Sequence, residues 1–260
     1  KPVLPSGIRK KIPAITNSFA WPALKHPRIM LILSGCVQPA LAPSIDLAAA
    51  IVLDRLGISA LPIDQAVCCG ALPYHLSNPQ RAQRMARQNI DLCESYLKQG
   101  VEAIISTASG CGVMAKDYGY LLKDDPDYAE KAARFSAAVK DISEILIRED
   151  LSGFKAGGKN IAFQAPCTLQ HGQRLTGLVE NILQNAGYTL MPVADQHLCC
   201  GSAGVYSLLQ PELSENLRAA KLQNLESSEP EIIATANIGC LLHLQAVASR
   251  KVVHWIELLQ

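Results

Sequence analysis

The order of apolar and polar positions repeats along the chain. An apolar run at 29–33 leads to a cysteine, and so does one at 161–163. Each is followed by apolar residues at helical spacing, over 41–56 and 173–186, stopping at Gly57 or Gly187, a residue suited to the left-handed turn that closes a helix. Further short runs near Leu61 and Met191 precede a Cys-Cys-Gly triplet. A second helical stretch then opens at Pro79 or Pro211, since proline fits the first helical turn, and the runs "AIIST" and "EIIATA" read as buried strands. Strands alternating with helices predict an α/β fold with parallel sheets covered on both faces.

Aligning the halves on their triplets carries Cys68 and Cys69 onto Cys199 and Cys200, and the same offset of 131 carries Cys36 onto Cys167. Each half reads Cys, 31 residues, Cys-Cys-Gly, and later one more cysteine, Cys111 or Cys240. Repeats of this length suit a duplicated domain rather than a solenoid. The expected organisation is an extension at 1–25, a first domain at 26–152 and a second at 153–260. Each domain is a small parallel sheet flanked by helices, and the two are related by a pseudo-twofold axis. The boundary falls near the Gly-rich "LSGFKAGGKN".

Composition narrows the function classes. The 260 residues are 49% hydrophobic, 18% charged and 5% aromatic, with a formal net charge of +1. A near-neutral balance without basic clusters or stacking aromatics gives no support to nucleic-acid binding. The longest apolar region is interrupted by Asp46, Asp54 and Arg55, so no transmembrane segment is expected. The first residues carry no secretory apolar run and do not begin with Met, so the chain is read as cytoplasmic and as part of something longer.

Nine cysteines without a secretory segment point to metal or redox chemistry rather than a disulfide framework. A bond within either Cys-Cys pair would be strained, because neighbouring Cα atoms lie about 3.8 Å apart, less than an unstrained disulfide spans. The thiols Cys36, Cys111, Cys167 and Cys240 each follow a predicted strand, and ligands of parallel sheets gather at strand carboxyl ends. Helix N-termini there stabilise thiolates. The expected ligand sets are Cys36, Cys68, Cys69 and Cys111 in one half and Cys167, Cys199, Cys200 and Cys240 in the other. Zinc remains an alternative, but zinc-type Cys-x2-4-Cys knuckles are missing and adjacent ligands favour an iron-sulfur assembly. Cys93, on a helical pattern with no counterpart, reads as a core thiol. His171, His75 and His197 lie near the site cysteines in sequence, while His26 and His254 read as structural. Asp64 and Asp195 precede the two pairs at matching distance and are expected to hold the loops by accepting backbone N–H groups.

The blocks "SGCVQPALAPSID", "CCGALPYHL", "STASGCGVM", "APCTLQHGQRL", "CCGSAGVYSLLQPELS" and "NIGCLLH" resemble the cysteine-rich CCG-domain family. That family includes heterodisulfide reductase B subunits and lactate-utilisation proteins, and these blocks are most similar to the iron-sulfur subunits of glycolate oxidases. The resemblance implies clusters of 4Fe-4S type or a non-cubane variant, in a subunit that is not a catalyst alone. It would pass electrons from a flavin-containing oxidase subunit towards a membrane quinone acceptor, in the cytoplasm or peripheral to the inner membrane. Such subunits carry a ferredoxin-like region whose Cys-x2-Cys-x2-Cys-x3-Cys-Pro runs do not occur in this sequence, so another region or chain is implied. In the heterodisulfide reductase type a fifth cysteine closes the last motif. Met114 and His243 occupy the matching positions here, and His243 is an expected additional ligand of the second half. A catalytic thiol/disulfide centre and a zinc-stabilised structural module are the rival readings.

Overall fold

The computed structural model describes residues 20–63, 66–155 and 157–260. The first half forms a sheet of β1 (Arg28–Ile32), β2 (Ile58–Pro62), β3 (Ala103–Ser106) and β4 (Val139–Asp141), in the order β2-β1-β3-β4. The second forms β5 (Asn160–Gln164), β6 (Thr189–Leu190), β7 (Ile232–Thr235) and β8 (Lys251–His254), in the matching order β6-β5-β7-β8. Every pairing is parallel. The helices that matter below are α1 (Ser44–Arg55), α2 (Pro79–Lys98), α3 (Ser109–Lys116), α4 (Ala129–Ala138), α5 (Leu178–Asn185), α6 (Pro211–Glu226) and α7 (Ile238–Gln245).

Alternation along the central strands explains why both faces of the first sheet are covered. Met30 and Ile32 of β1 enter one core, whereas Leu31 and Leu33 enter another beneath α2 and α4. The first of these cores is continuous with the second half, where Ile161, Phe163, Ile233 and Trp255 join Ile45 and Leu53 of α1. Leu151 and Phe154, in the segment between the sheets, are buried in it too.

The structure departs from the periodicity in four places. Each sheet has a fourth strand, β4 (Val-Lys-Asp) or β8 (Lys-Val-Val-His), with too few adjacent apolar residues to register as an apolar run. The stretch expected as one helix over 41–56 is divided at Pro43, with a short helix Gln38–Leu41 before α1. The stretch over 173–186 becomes helical only at Leu178, because a π-helical turn, Thr168–Gly172, comes first, and Arg174 and Gly177 take positive φ. Finally, among the described residues no hydrogen bond ties the loop before Cys199 through the Asp195 carboxylate. The Asp195 backbone carbonyl accepts instead, from Leu198 N–H at 3.0 Å and from Lys221 Nζ at 3.4 Å. Asp64 lies outside the described residues.

Candidate metal centre

In the first half the chain leaves β1 and turns at Gly35, whose φ of +73° demands glycine and where a Cβ would sit 3.6 Å from Cys111 Sγ. Cys36 follows and is exposed. Cys68 and Cys69 lie in the loop between β2 and a short helix, Ala71–His75, and Cys111 is the third residue of α3. The four sulfurs form a row of contacts, Cys36 to Cys68, Cys68 to Cys69, and Cys69 to Cys111. The second half repeats the row as Cys167, Cys199, Cys200 and Cys240. Cys200 Sγ and Cys240 Sγ are 3.2 Å apart, and Cys240 is again the third residue of its helix, α7.

Charge is distributed alike in both rows. Hydrogen bonds from Cys36 and Cys69, helped by the Gly70 N–H, hold Cys68 well below the usual thiol range. Cys199 is held down in the same way by Cys167, Cys200 and the Gly201 N–H, the last lying 3.3 Å from Sγ. Cys36 and Cys167 are pushed up because they donate to those thiolates. Each half thus lines up four soft sulfur donors, the second of them favoured as thiolate by its neighbours, the chemistry that zinc or the irons of an iron-sulfur cluster accept. The donors touch in sequence rather than surround one point. Among the described residues no three or more His, Cys, Asp or Glu side chains are placed to hold a single metal ion.

The remaining predicted residues separate clearly. Cys93 is fully buried on α2, and burial pushes its thiol up to about 12. Met114 packs in the core beneath α2. His243 Nε2 lies 3.2 Å from Ser214 Oγ, which donates to Gly201 O at 2.8 Å, so the hydroxyl accepts from the ring. That contact holds His243 beside the second row with Nε2 engaged. His75, His171 and His197 are exposed. His26 pairs with Asp54 at 3.0 Å, and His254 is buried against Thr107 O at 2.8 Å.

Sequence reasoning missed the residues that hold these loops. Asn89 of α2 accepts from Val67 N–H at 3.1 Å and donates to Tyr118 Oη at 3.1 Å, while Tyr118 donates to Cys69 O at 2.8 Å. Lys221 of α6 does the corresponding work in the second half, donating to Gln196 O at 2.9 Å. Between the halves, Gly110 N–H donates to Asn237 Oδ1 at 3.1 Å, and Asn237 Nδ2 reaches Cys240 Sγ at 3.7 Å. An Asn or a Lys on a helical stretch is unremarkable in sequence. The available signal was that these positions differ between otherwise matching repeats.

The profile of the family described as "Cysteine-rich domain" (CCG) matches residues 30–116 and again 161–245. The chain belongs to the cysteine-rich CCG-domain family. Its matched segments coincide with the two thiol rows. Over its full length it is 48% identical to the glycolate oxidase iron-sulfur subunit of Escherichia coli (strain K12), and it covers 64% of that protein. It is 30% identical, over 84% of its length, to the probable glycolate oxidase iron-sulfur subunit of Bacillus subtilis (strain 168), of which it covers 49%. The chain therefore spans 49% to 64% of the length of these relatives. Among solved structures, a hypothetical protein from Helicobacter pylori superposes with a TM-score of 0.64 at 10% identity, covering 96% of this chain and 51% of that one, which is a likeness of fold.

Proposed function

We propose that this CCG pair is the part of a glycolate oxidase-type iron-sulfur subunit that carries two cluster sites, one held by Cys36, Cys68, Cys69 and Cys111 and the other by Cys167, Cys199, Cys200 and Cys240. The observation that carries this reading is the convergence of four thiols in each half, around a thiolate already stabilised by its neighbours. A row of donors in contact suits a body with several metal atoms better than one tetrahedral ion. When bound, such a cluster supplies reversible one-electron storage.

The protein's own contribution is positional. Helices α3 and α7 present Cys111 and Cys240 in their first turns, where the positive end of the helix dipole favours negative sulfur. The Gly70 and Gly201 N–H groups do the same for Cys68 and Cys199. In this reading electrons from a 2-hydroxy acid such as glycolate arrive from a flavin-containing partner and leave through a ferredoxin-like region or chain towards a quinone. The chain works in the cytoplasm or at the inner membrane face. Among the described residues no helix is long and apolar enough to cross a membrane. The positions of Met114, in the core, and His243, held by Ser214, support electron transfer over a thiol/disulfide centre with a fifth thiolate.

The test is anaerobic reconstitution with iron and sulfide, followed by metal and sulfide analysis and EPR. The reading expects iron and acid-labile sulfide in both halves, with Cys199→Ser and Cys68→Ser each removing one share. Zinc without sulfide would refute it.

A further inference from the structure

The two thiol rows match in sulfur but not in what surrounds them. Position 237 opens α7 and its counterpart 108 opens α3, yet one is asparagine and the other a buried alanine. Asparagine is a favoured N-cap, but Asn237 makes no capping bond to its own helix. Its amide is turned to the other half: Gly110 N–H anchors Oδ1 at 3.1 Å, which fixes Nδ2 towards Cys240 Sγ at 3.7 Å. The space is kept free by glycines. A Cβ at Gly110 would sit 3.2 Å from Asn237 Oδ1, and one at Gly239 would sit 3.2 Å from Asn237 Nδ2. Ala108 offers Cys111 no such donor.

A second difference stands on separate residues. Asn89 and Lys221 occupy matching positions on α2 and α6, both fully buried, and both hold the loop ahead of their Cys-Cys pair. One is a neutral amide and the other an amine, whose Nζ is fixed on Gln196 O at 2.9 Å and Asp195 O at 3.4 Å, just ahead of Cys199. Burial lowers the Lys221 pKa, and the charges of Cys200, Cys240 and Cys199 oppose that and favour the ammonium form. A hydrogen bond to sulfur and a buried cation both stabilise the more negative, reduced form of a thiolate-bound group, and so raise its reduction potential.

We propose that Asn237 and Lys221 make the second row the electron-holding end of the pair, so that a cluster on Cys167, Cys199, Cys200 and Cys240 is reduced at higher potential than one on Cys36, Cys68, Cys69 and Cys111. This rests on the iron-sulfur reading above. With both groups bound, one electron from an external donor such as a reduced flavin would pass from the group held by Cys36, Cys68, Cys69 and Cys111, oxidising it by one, to the group held by Cys167, Cys199, Cys200 and Cys240, reducing it by one; no bond would form or break. Asn237 links the residue before Cys111 to Cys240 itself.

The experiment is a mediated redox titration, followed by EPR, of the anaerobically reconstituted chain. Two steps are expected, with Cys199→Ser abolishing the higher and Cys68→Ser the lower. Asn237→Ala and Lys221→Gln should each lower the midpoint of the higher step and leave the other in place. Lys221→Arg, which keeps the charge, should restore it. A merely structural role would reduce iron content or stability without moving one midpoint selectively. The proposal is overturned if both steps move together or neither moves, or if the higher step survives in Cys199→Ser. Should either variant fail to fold, the other carries the same expectation. Wild-type chain that takes up no iron and sulfide would sink the iron-sulfur reading and this inference with it, whereas two steps at unshifted midpoints with full iron content would sink the inference alone.

Discussion

Gly201 is the third residue of the second Cys-Cys-Gly, and replacing it with alanine tests why that motif ends in glycine. Its φ is +86°, a region where an L side chain costs about 1–2 kcal/mol. A Cβ there would overlap the carbonyl oxygen of Ser214, closer than real Cβ atoms approach, and would sit 3.2 Å from Leu217 Cβ. That oxygen belongs to the backbone of α6, so relief requires the helix to move, an overpacking cost of roughly 1–3 kcal/mol. The movement also endangers the bond from Ser214 Oγ to Gly201 O at 2.8 Å, worth about 1 kcal/mol. Gly201→Ala should therefore destabilise by about 3–6 kcal/mol, a large share of the ~5–15 kcal/mol typical of a domain. Gly70 supplies the internal control. It has the same φ of +86°, but a Cβ there would meet Ala82 O at 3.1 Å, a contact relieved by a few tenths of an ångström. Gly70→Ala should cost only about 1–3 kcal/mol. Urea denaturation of iron-free protein, in reducing and chelating buffer so that cofactor linkage does not enter, gives both values. If the two variants fell within about 1 kcal/mol of each other, the steric account of the motif would be wrong.

Two further outcomes follow from burial. Met114→Leu and Cys93→Ala should leave reconstituted iron and sulfide unchanged, with a stability loss under about 1.5 kcal/mol for the first and roughly 1–2 kcal/mol for the second, read by metal analysis and urea midpoints. Lost iron in either variant would place that sulfur among the ligands. His254 is held neutral, its pKa pushed down to about 4 by burial. Its Nε2–H donates to Thr107 O and its Nδ1 accepts from Ile256 N–H, so a second ring proton would have to break the latter bond. The unfolded chain takes up that proton near pH 6.5 and the folded chain only near pH 4, so stability present above pH 6.5 is lost as pH falls through this window, by about 3 kcal/mol from a single group. His254→Gln should flatten that limb by close to one proton in stability measured against pH, and an unchanged slope would refute the assignment.

What could be read from the sequence was what repeats. The thiol sets, the parallel order and the helix starts at Pro79 and Pro211 all recur at offsets of 129 to 132 residues, and recurrence separates signal from ordinary core. The edge strand β4 is only three residues long, and β8, Lys-Val-Val-His, offers just two adjacent apolar residues where β3 and β7 offer three in four, so neither reads as a buried run. The late start of α5 depends on a π-helical turn and on positive φ at Arg174 and Gly177, which are set by tertiary packing against α3 and not by local preference. Asp195 was assigned a carboxylate role because aspartates before turns commonly accept N–H groups. The loop instead satisfies Lys221, a buried cation whose presence makes backbone carbonyls the required partners.

Several of the residues invisible to pattern, Asn237 and Gln173 among them, lie where the halves meet, and this follows from what a duplication does. Fusing two copies brings the carboxyl edges of the central strands together, so each copy's strand ends face the other copy rather than water. Ser109 N–H bonds to Ala236 O at 3.2 Å, Ser109 Oγ lies 2.8 Å from Thr168 Oγ1, and Gln173 Nε2 donates to Ser109 O at 3.1 Å. Main-chain groups left without partners at a buried junction are costly, so side chains such as Asn237, Gln173 and His254 are recruited to satisfy them. Only one copy needs to supply each recruit. The junction is therefore where the repeats must become different, and Cys111 and Cys240 lie beside it through the contacts of Asn237. The Asn237 part of the inequivalence between the two thiol groups is thus a by-product of closing the interface, and on the proposed reading it would bias the direction of electron flow without any change in the ligands themselves.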